Sequence, residues 1–118
     1  MKKSLMVLAF GLLGSQLAMA ESIICKTEDQ KVTIELGTIK GDIVGALITG
    51  TDSENADIMV VETEKAESSL KVTMLDLTNA KGLELNVAGK DQKLVGTLTD
   101  MGAPGNASTD YAVTCEVK

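Results

Sequence analysis

The sequence predicts an all-β domain: a small antiparallel eight-stranded up-and-down barrel, with a two-sheet β-sandwich as the alternative and termini tied by a disulfide. Three observations carry that expectation. After the first 20 residues apolar and polar residues alternate at a period of two through much of the chain, and no window there holds a convincing 3.6-residue apolar stripe over three turns. Turn-forming residues recur at intervals of about ten, the spacing of a meander or sandwich. Two cysteines, Cys25 and Cys115, flank nearly all of the β-rich chain, so a bond between them brings the first and last strands together. Closing the sheet on itself then removes exposed edges.

The elements follow in chain order. Lys2 and Lys3, the apolar stretch Leu5 to Leu13 and the small-x-small pattern Ala18-Met19-Ala20 form a secretory signal peptide over residues 1–20, with cleavage before Glu21. The stretch from Leu5 to Ala20 includes Ser15 and Gln16 and is shorter than the roughly 20 apolar residues of a membrane span. A lipoprotein anchor needs a cysteine directly after the cleavage site, whereas Cys25 follows Ser22, Ile23 and Ile24. The expectation is a periplasmic or secreted chain with no membrane anchor and a single small β-domain over 21–118. In that oxidising setting an even cysteine count means pairing, and Cys25 with Cys115 is the one pairing available.

Strands are expected near 22–27, 30–37, 43–50, 57–63, 70–77, 83–88, 93–99 and 110–117. Val32, Ile34 and Leu36 alternate with Lys31, Thr33 and Glu35, which gives the second strand one wet face. Both parities are apolar in Ile43 to Ile48 and Ile58 to Val61, as in strands covered on both faces or continuing past a bend. In the fifth, Leu70, Val72 and Met74 give way to Leu75 and Leu77, and that change of parity predicts a bulge between Met74 and Leu75. Leu83, Leu85 and Val87 alternate with Glu84 and Asn86, and Tyr111, Val113, Cys115 and Val117 with Ala112, Thr114 and Glu116. Turn clusters separate them at 40–42, 51–55, 64–69, 79–82 and 89–92, and the longest, 100–110, holds the only proline, Pro104.

Composition narrows the chemistry. Without histidine the chain has no imidazole base, and with both cysteines paired it has no thiolate, so Ser-His-Asp and Cys-His machinery and zinc in His/Cys coordination are excluded. All 11 basic residues are Lys, and there is no P-loop. Phosphate chemistry therefore lacks its usual clamp. The formal charge of −6 becomes −8 once Lys2 and Lys3 leave with the signal peptide. Nucleic acid and anionic membranes are disfavoured by that balance, and a basic protein partner is favoured. The chain is not expected to be an enzyme or to carry a cofactor or metal.

Six acids, Asp52, Glu54, Asp57, Glu62, Glu64 and Glu67, fall in one stretch and form a candidate acidic binding patch. Asp52, Glu54 and Asp57, with Asn55 between, give an oxygen-rich loop. It lacks the glycine and glutamate spacing of a calcium-binding EF-hand, and solvated turn carboxylates are the expectation. Asn106-Ala107-Ser108 matches an N-glycosylation sequon and is read as chance in a chain whose leader is of bacterial type.

With Cys25 in Ser22-Ile23-Ile24-Cys25-Lys26-Thr27 and Cys115 closing Tyr111-Ala112-Val113-Thr114-Cys115, the layout resembles the small β-barrel inhibitors of C-type lysozyme. That family carries a Ser-Gly-x-x-Tyr inhibitory segment. The candidates here, Ser53 and Ser68-Ser69, have neither the Gly nor the Tyr, so the resemblance implies shared architecture and transfers no inhibitory residue. The expected function is an exported non-catalytic binding domain, an inhibitor or binder of a secreted protein. The alternatives are a carrier of a small apolar ligand inside the barrel and a structural envelope-associated protein.

Overall fold

A computed structural model describes residues 22–90 and 93–117 of the chain. The expected signal peptide, its cleavage site and Glu21 lie outside the described residues. Eight strands form, β1 (Ser22–Thr27), β2 (Thr33–Ile39), β3 (Asp42–Thr49), β4 (Ile58–Lys65), β5 (Ser69–Asp76), β6 (Lys81–Lys90), β7 (Lys93–Asp100) and β8 (Thr109–Val117). They make one antiparallel sheet in the order β3-β2-β1-β8-β7-β6-β5-β4, curled into a nearly closed barrel rather than a sandwich. Its edges, β3 and β4, lie side by side along a seam that no described ladder crosses. Across the β1–β8 ladder Cys25 stands opposite Cys115, and the two are bonded, with an S–S distance of 2.04 Å.

Alternation decides what fills the barrel. Ile23 and Cys25, Ile34 and Leu36, Leu70, Val72 and Met74, Leu83, Leu85 and Val87, and Leu94 and Leu98 all point inward and are 2% exposed or less. Each fully buried aliphatic side chain contributes about 1.5–3 kcal/mol relative to exposure. The seam is the thin part of this core, since β4 supplies only the half-buried Ile58 and Val60.

Local chemistry sets the strand ends. Between Ile39 and Asp42 the turn residues Lys40 (φ 53) and Gly41 (φ 85) both have positive φ, the conformation of a two-residue hairpin turn matched to strand twist. This carries β2 two residues beyond its expected end. At its other end β2 starts late, at Thr33, because Asp29 organises the preceding turn. One Asp29 carboxylate oxygen accepts from the Thr27 hydroxyl at 2.6 Å and from the Lys31 amide at 3.0 Å. In β7, Gly96 lets the sheet fold tightly, since a Cβ there would sit 2.0 Å from the Asn86 carbonyl oxygen.

The predicted bulge between Met74 and Leu75 is not observed. β5 runs in unbroken register, with Met74 opposite Leu83, Leu75 opposite Gly82 and Asp76 opposite Lys81. Leu75 and Leu77 point outward, 38% and 51% exposed, and the inward slot after Met74 belongs to Asp76, 1% exposed. Apolar parity misled because a buried carboxylate occupies a core position. Irregularities fall instead in the edge strands. Val44 is the extra residue of β3, between pairs Gly37–Gly45 and Thr38–Ile43, and Val61 that of β4, between Val60–Met74 and Glu62–Thr73. The two doubly apolar runs are thus bulged strands with exposed outer side chains, not strands covered on both faces.

Candidate functional site

The antiparallel order gathers the connections 28–32, 50–57, 77–80 and 101–108 at one end of the barrel. Two polar clusters are built into that end. In the first, the Asp76 carboxylate accepts from the Ser53 hydroxyl at 2.7 Å, the Asn79 side-chain amide at 2.7 Å and the Asn79 backbone amide at 2.8 Å. Burial alone would raise the Asp76 pKa, but the hydrogen bonds from Asn79 and Ser53 outweigh it and hold the carboxyl below its ordinary value. In the second, Lys81 Nζ donates to Asp100 Oδ2 at 2.7 Å and to Asp52 Oδ1. The Lys81 side chain is 2% exposed. Burial opposes its charge, yet the hydrogen bonds to Asp100 and Asp52 prevail and raise its pKa above the usual range.

These clusters bind the loops to one another. Asn79 Nδ2 also donates to the Asp52 carbonyl at 3.0 Å, the Leu77 amide to the Asp57 carbonyl at 2.9 Å, and the Asp57 amide to the Thr78 hydroxyl at 3.0 Å. Gly102 donates to Asp100 Oδ1 at 2.9 Å, which ties the start of the 101–108 loop to the same network. Asn79, Asp76, Lys81 and Asp100 were not among the sequence candidates, and Ser53 figured only in the comparison with the inhibitory segment. Their signal was positional: Asp76 continues the parity of Met74, Lys81 that of Leu83, and Asp100 that of Leu98, so each puts a charge in an inward slot.

The six candidate acids do not converge. Asp52, Glu54 and Asp57 lie in the loop between β3 and β4, where Asp52 faces Lys81 and Glu54 Oε1 accepts from the Gly50 amide at 2.9 Å. Glu62 and Glu64 stand exposed on β4, and Glu67 lies in the turn at the opposite end. Among the described residues no three or more acidic or sulfur-bearing side chains converge to hold a metal ion.

Two outer features complete the surface. A groove of about 820 Å³ crosses the outside of β1, β7 and β8, lined by Ile24, Lys26, Val95, Ala112, Thr114 and Glu116 among others. Around the seam an aliphatic strip is exposed, made of Val44 and Leu47 on β3, Met59 and Val61 on β4, and Leu75 and Leu77 on and after β5. The disulfide is consistent with an extracellular or periplasmic location, and no described helix is long and apolar enough to cross a membrane. Comparison with known protein families, curated proteins and solved structures returns no match.

Proposed function

We propose that the protein is an exported, non-catalytic binding domain that engages a basic protein partner through its outer surface, as an inhibitor or binder of a secreted protein. The observation that carries this reading is the set of acids left available outside the barrel. Glu62 is exposed on edge strand β4 and enters no ion pair among the described residues, and Glu67 likewise stays in solvent. Inside, the inward positions are taken by core side chains, which supports recognition by the surface rather than by an enclosed ligand site. The buried Lys81–Asp100 ion pair and the hydrogen-bonded Asp76 carboxylate at the loop end favour a rigid display, the arrangement in which little ordering entropy is lost on association.

Capture from the native periplasm or medium at low and at several-fold higher ionic strength tests the reading. A basic protein should be retained at low salt and released as the screening length falls below its physiological value of about 8 Å. With that partner in hand, replacing Glu62, Glu64 and Glu67 together by Gln should slow association more than it speeds dissociation. An acidic partner, or an association rate indifferent to salt, would overturn the reading. The exported form should begin at Glu21, and its intact mass decides whether the leader is removed there.

A further inference from the structure

The aliphatic strip at the seam differs from scattered surface apolar residues. Val44, Leu47, Met59, Val61, Leu75 and Leu77 keep 38% to 57% of their area in solvent, and all lie on or beside three strands that are consecutive in the chain. Met59 pairs with Leu75 on the outer face of the β4–β5 ladder, and Leu47 lies across the seam on β3. Exposed apolar residues concentrated on adjoining strands in this way mark contact with another molecule.

What surrounds it specifies the occupant. Glu35 stands opposite Leu47 in the β2–β3 ladder, Glu62 follows Val61 on β4, and Glu64 and Asp42 lie farther along the same strands. The cations on this side are paired with acids or lie toward the turn end of the strip, where Lys65 keeps its charge. Lys71 is shared between Glu84 at 3.4 Å and Glu64 at 3.9 Å, Lys65 Nζ donates to the Gly41 carbonyl at 3.1 Å across the seam, and Lys40 is in the adjoining turn. Glu35 and Glu62 enter no ion pair among the described residues. A second copy of the chain would bring the same acids against this rim and carries a formal charge of −6 itself, so self-association is opposed by like charge.

We infer that this acid-rimmed aliphatic strip is the docking surface, and that it takes an extended cationic segment of a protein in which aliphatic side chains alternate with Lys or Arg. The inference rests on the reading of the chain as a binder of a basic partner and names the surface and its chemistry. Extended geometry fits because the strip lies along the two edge strands of the sheet, β3 and β4. The apolar positions of such a segment cover the strip while its cations meet Glu35 and Glu62. Edge strands are also where extended segments are ordinarily received.

Three short peptides test this by NMR titration of the protein: one alternating Lys with Leu, one Lys with Ser and one Glu with Leu. The Lys/Leu peptide should shift amide resonances of β3, β4 and β5. Leu47→Ser and Met59→Ser should each weaken it roughly tenfold, and the Lys/Ser peptide should bind as weakly as those variants. Glu35→Gln and Glu62→Gln, which keep side-chain shape and endanger no core contact, should weaken it and flatten its salt dependence. If the Lys/Leu peptide maps instead to the β1, β7 and β8 groove or to the loop end, or binds the variants unchanged, the docking surface is wrong while a basic partner remains tenable. Binding no tighter than that of the Glu/Leu peptide at low salt overturns both.

Discussion

Replacing Lys81 by Met tests how the loop end is held. The ammonium is enclosed, with its side chain 2% exposed, and its two carboxylate partners differ: the Asp100 side chain is 11% exposed and that of Asp52 is 74% exposed. The Asp52 arm is therefore screened by water and contributes no more than about 1 kcal/mol. The Asp100 arm is the costly one to break. Lys81→Met would leave Asp100 buried with the Gly102 amide as its remaining donor among the described residues, and removing one partner of a buried pair costs about 3–5 kcal/mol. The expected loss is about 3–4 kcal/mol, a fall in melting temperature of roughly 12–30 °C at about 4–8 °C per kcal/mol. Urea denaturation followed by circular dichroism measures it, with an unchanged slope required for the comparison. The double variant Lys81→Met with Asp100→Leu removes both buried charges and should recover most of the loss. Since the folded Lys81 pKa is raised, its contribution is fully present below the unfolded value near 10.5 and fades only as pH climbs through the folded value. The gap between parent and variant should accordingly be constant from neutral pH to about pH 10. A single-variant loss under about 1 kcal/mol, or a double variant as unstable as both single losses added, would refute the reasoning.

Asp76→Ala strips three hydrogen bonds from the buried carboxylate site and should cost about 3 kcal/mol in the same denaturation assay. Because the folded Asp76 pKa is depressed, its stabilisation is present above the unfolded value near 3.8 and is lost as pH falls through the folded one; Asp76→Asn should show a smaller acid-induced fall in stability than the parent. Replacing Cys25 and Cys115 by Ala opens a loop of sequence separation 90 and should cost about 3–5 kcal/mol, seen as a lower melting temperature, while the parent under denaturing conditions should titrate no free thiol. Gly96→Ala, whose Cβ would meet the Asn86 carbonyl oxygen at 2.0 Å, should cost about 2 kcal/mol or more, whereas Gly37→Ala, with nothing within 4 Å, should change stability by about 0.5 kcal/mol or less.

Much of the fold was legible because one physical rule, burial on one face of a strand, writes itself into period-two alternation. All eight strands appear where that pattern and the turn residues place them, and the cysteine pairing follows from there being one pair. The pattern failed where a core position was polar. With Leu75 and Leu77 read as inward past a bulge, Asp76 falls on the outer face, yet it is buried, and the hydrogen bonds that make its burial tolerable come from Ser53 and Asn79, of which Ser53 is distant in sequence. No local pattern announces such partners. The fold also spreads the acidic stretch. Asp52, Glu54, Asp57, Glu62, Glu64 and Glu67 are neighbours in sequence, but a strand separates the loop acids from Glu67 and carries them to opposite ends of the barrel. Proximity along an extended chain is lost at about 3.3 Å per residue.

The order of the sheet has a bearing on how the chain finds it. Six of the seven ladders join consecutive strands, so β1–β2–β3 and β4–β5–β6–β7–β8 are two meanders whose pairings are all local. Only the β1–β8 ladder spans the chain. Nearly all of the non-local search in folding is concentrated there, where loop closure must come before any contact rewards it. The Cys25–Cys115 bond sits on that single ladder. An oxidised chain therefore begins refolding with its one distant pairing already delivered in register and has only hairpins left to form. A reduced chain must first bring its ends together, and until it does, two meanders with open edges share one tether.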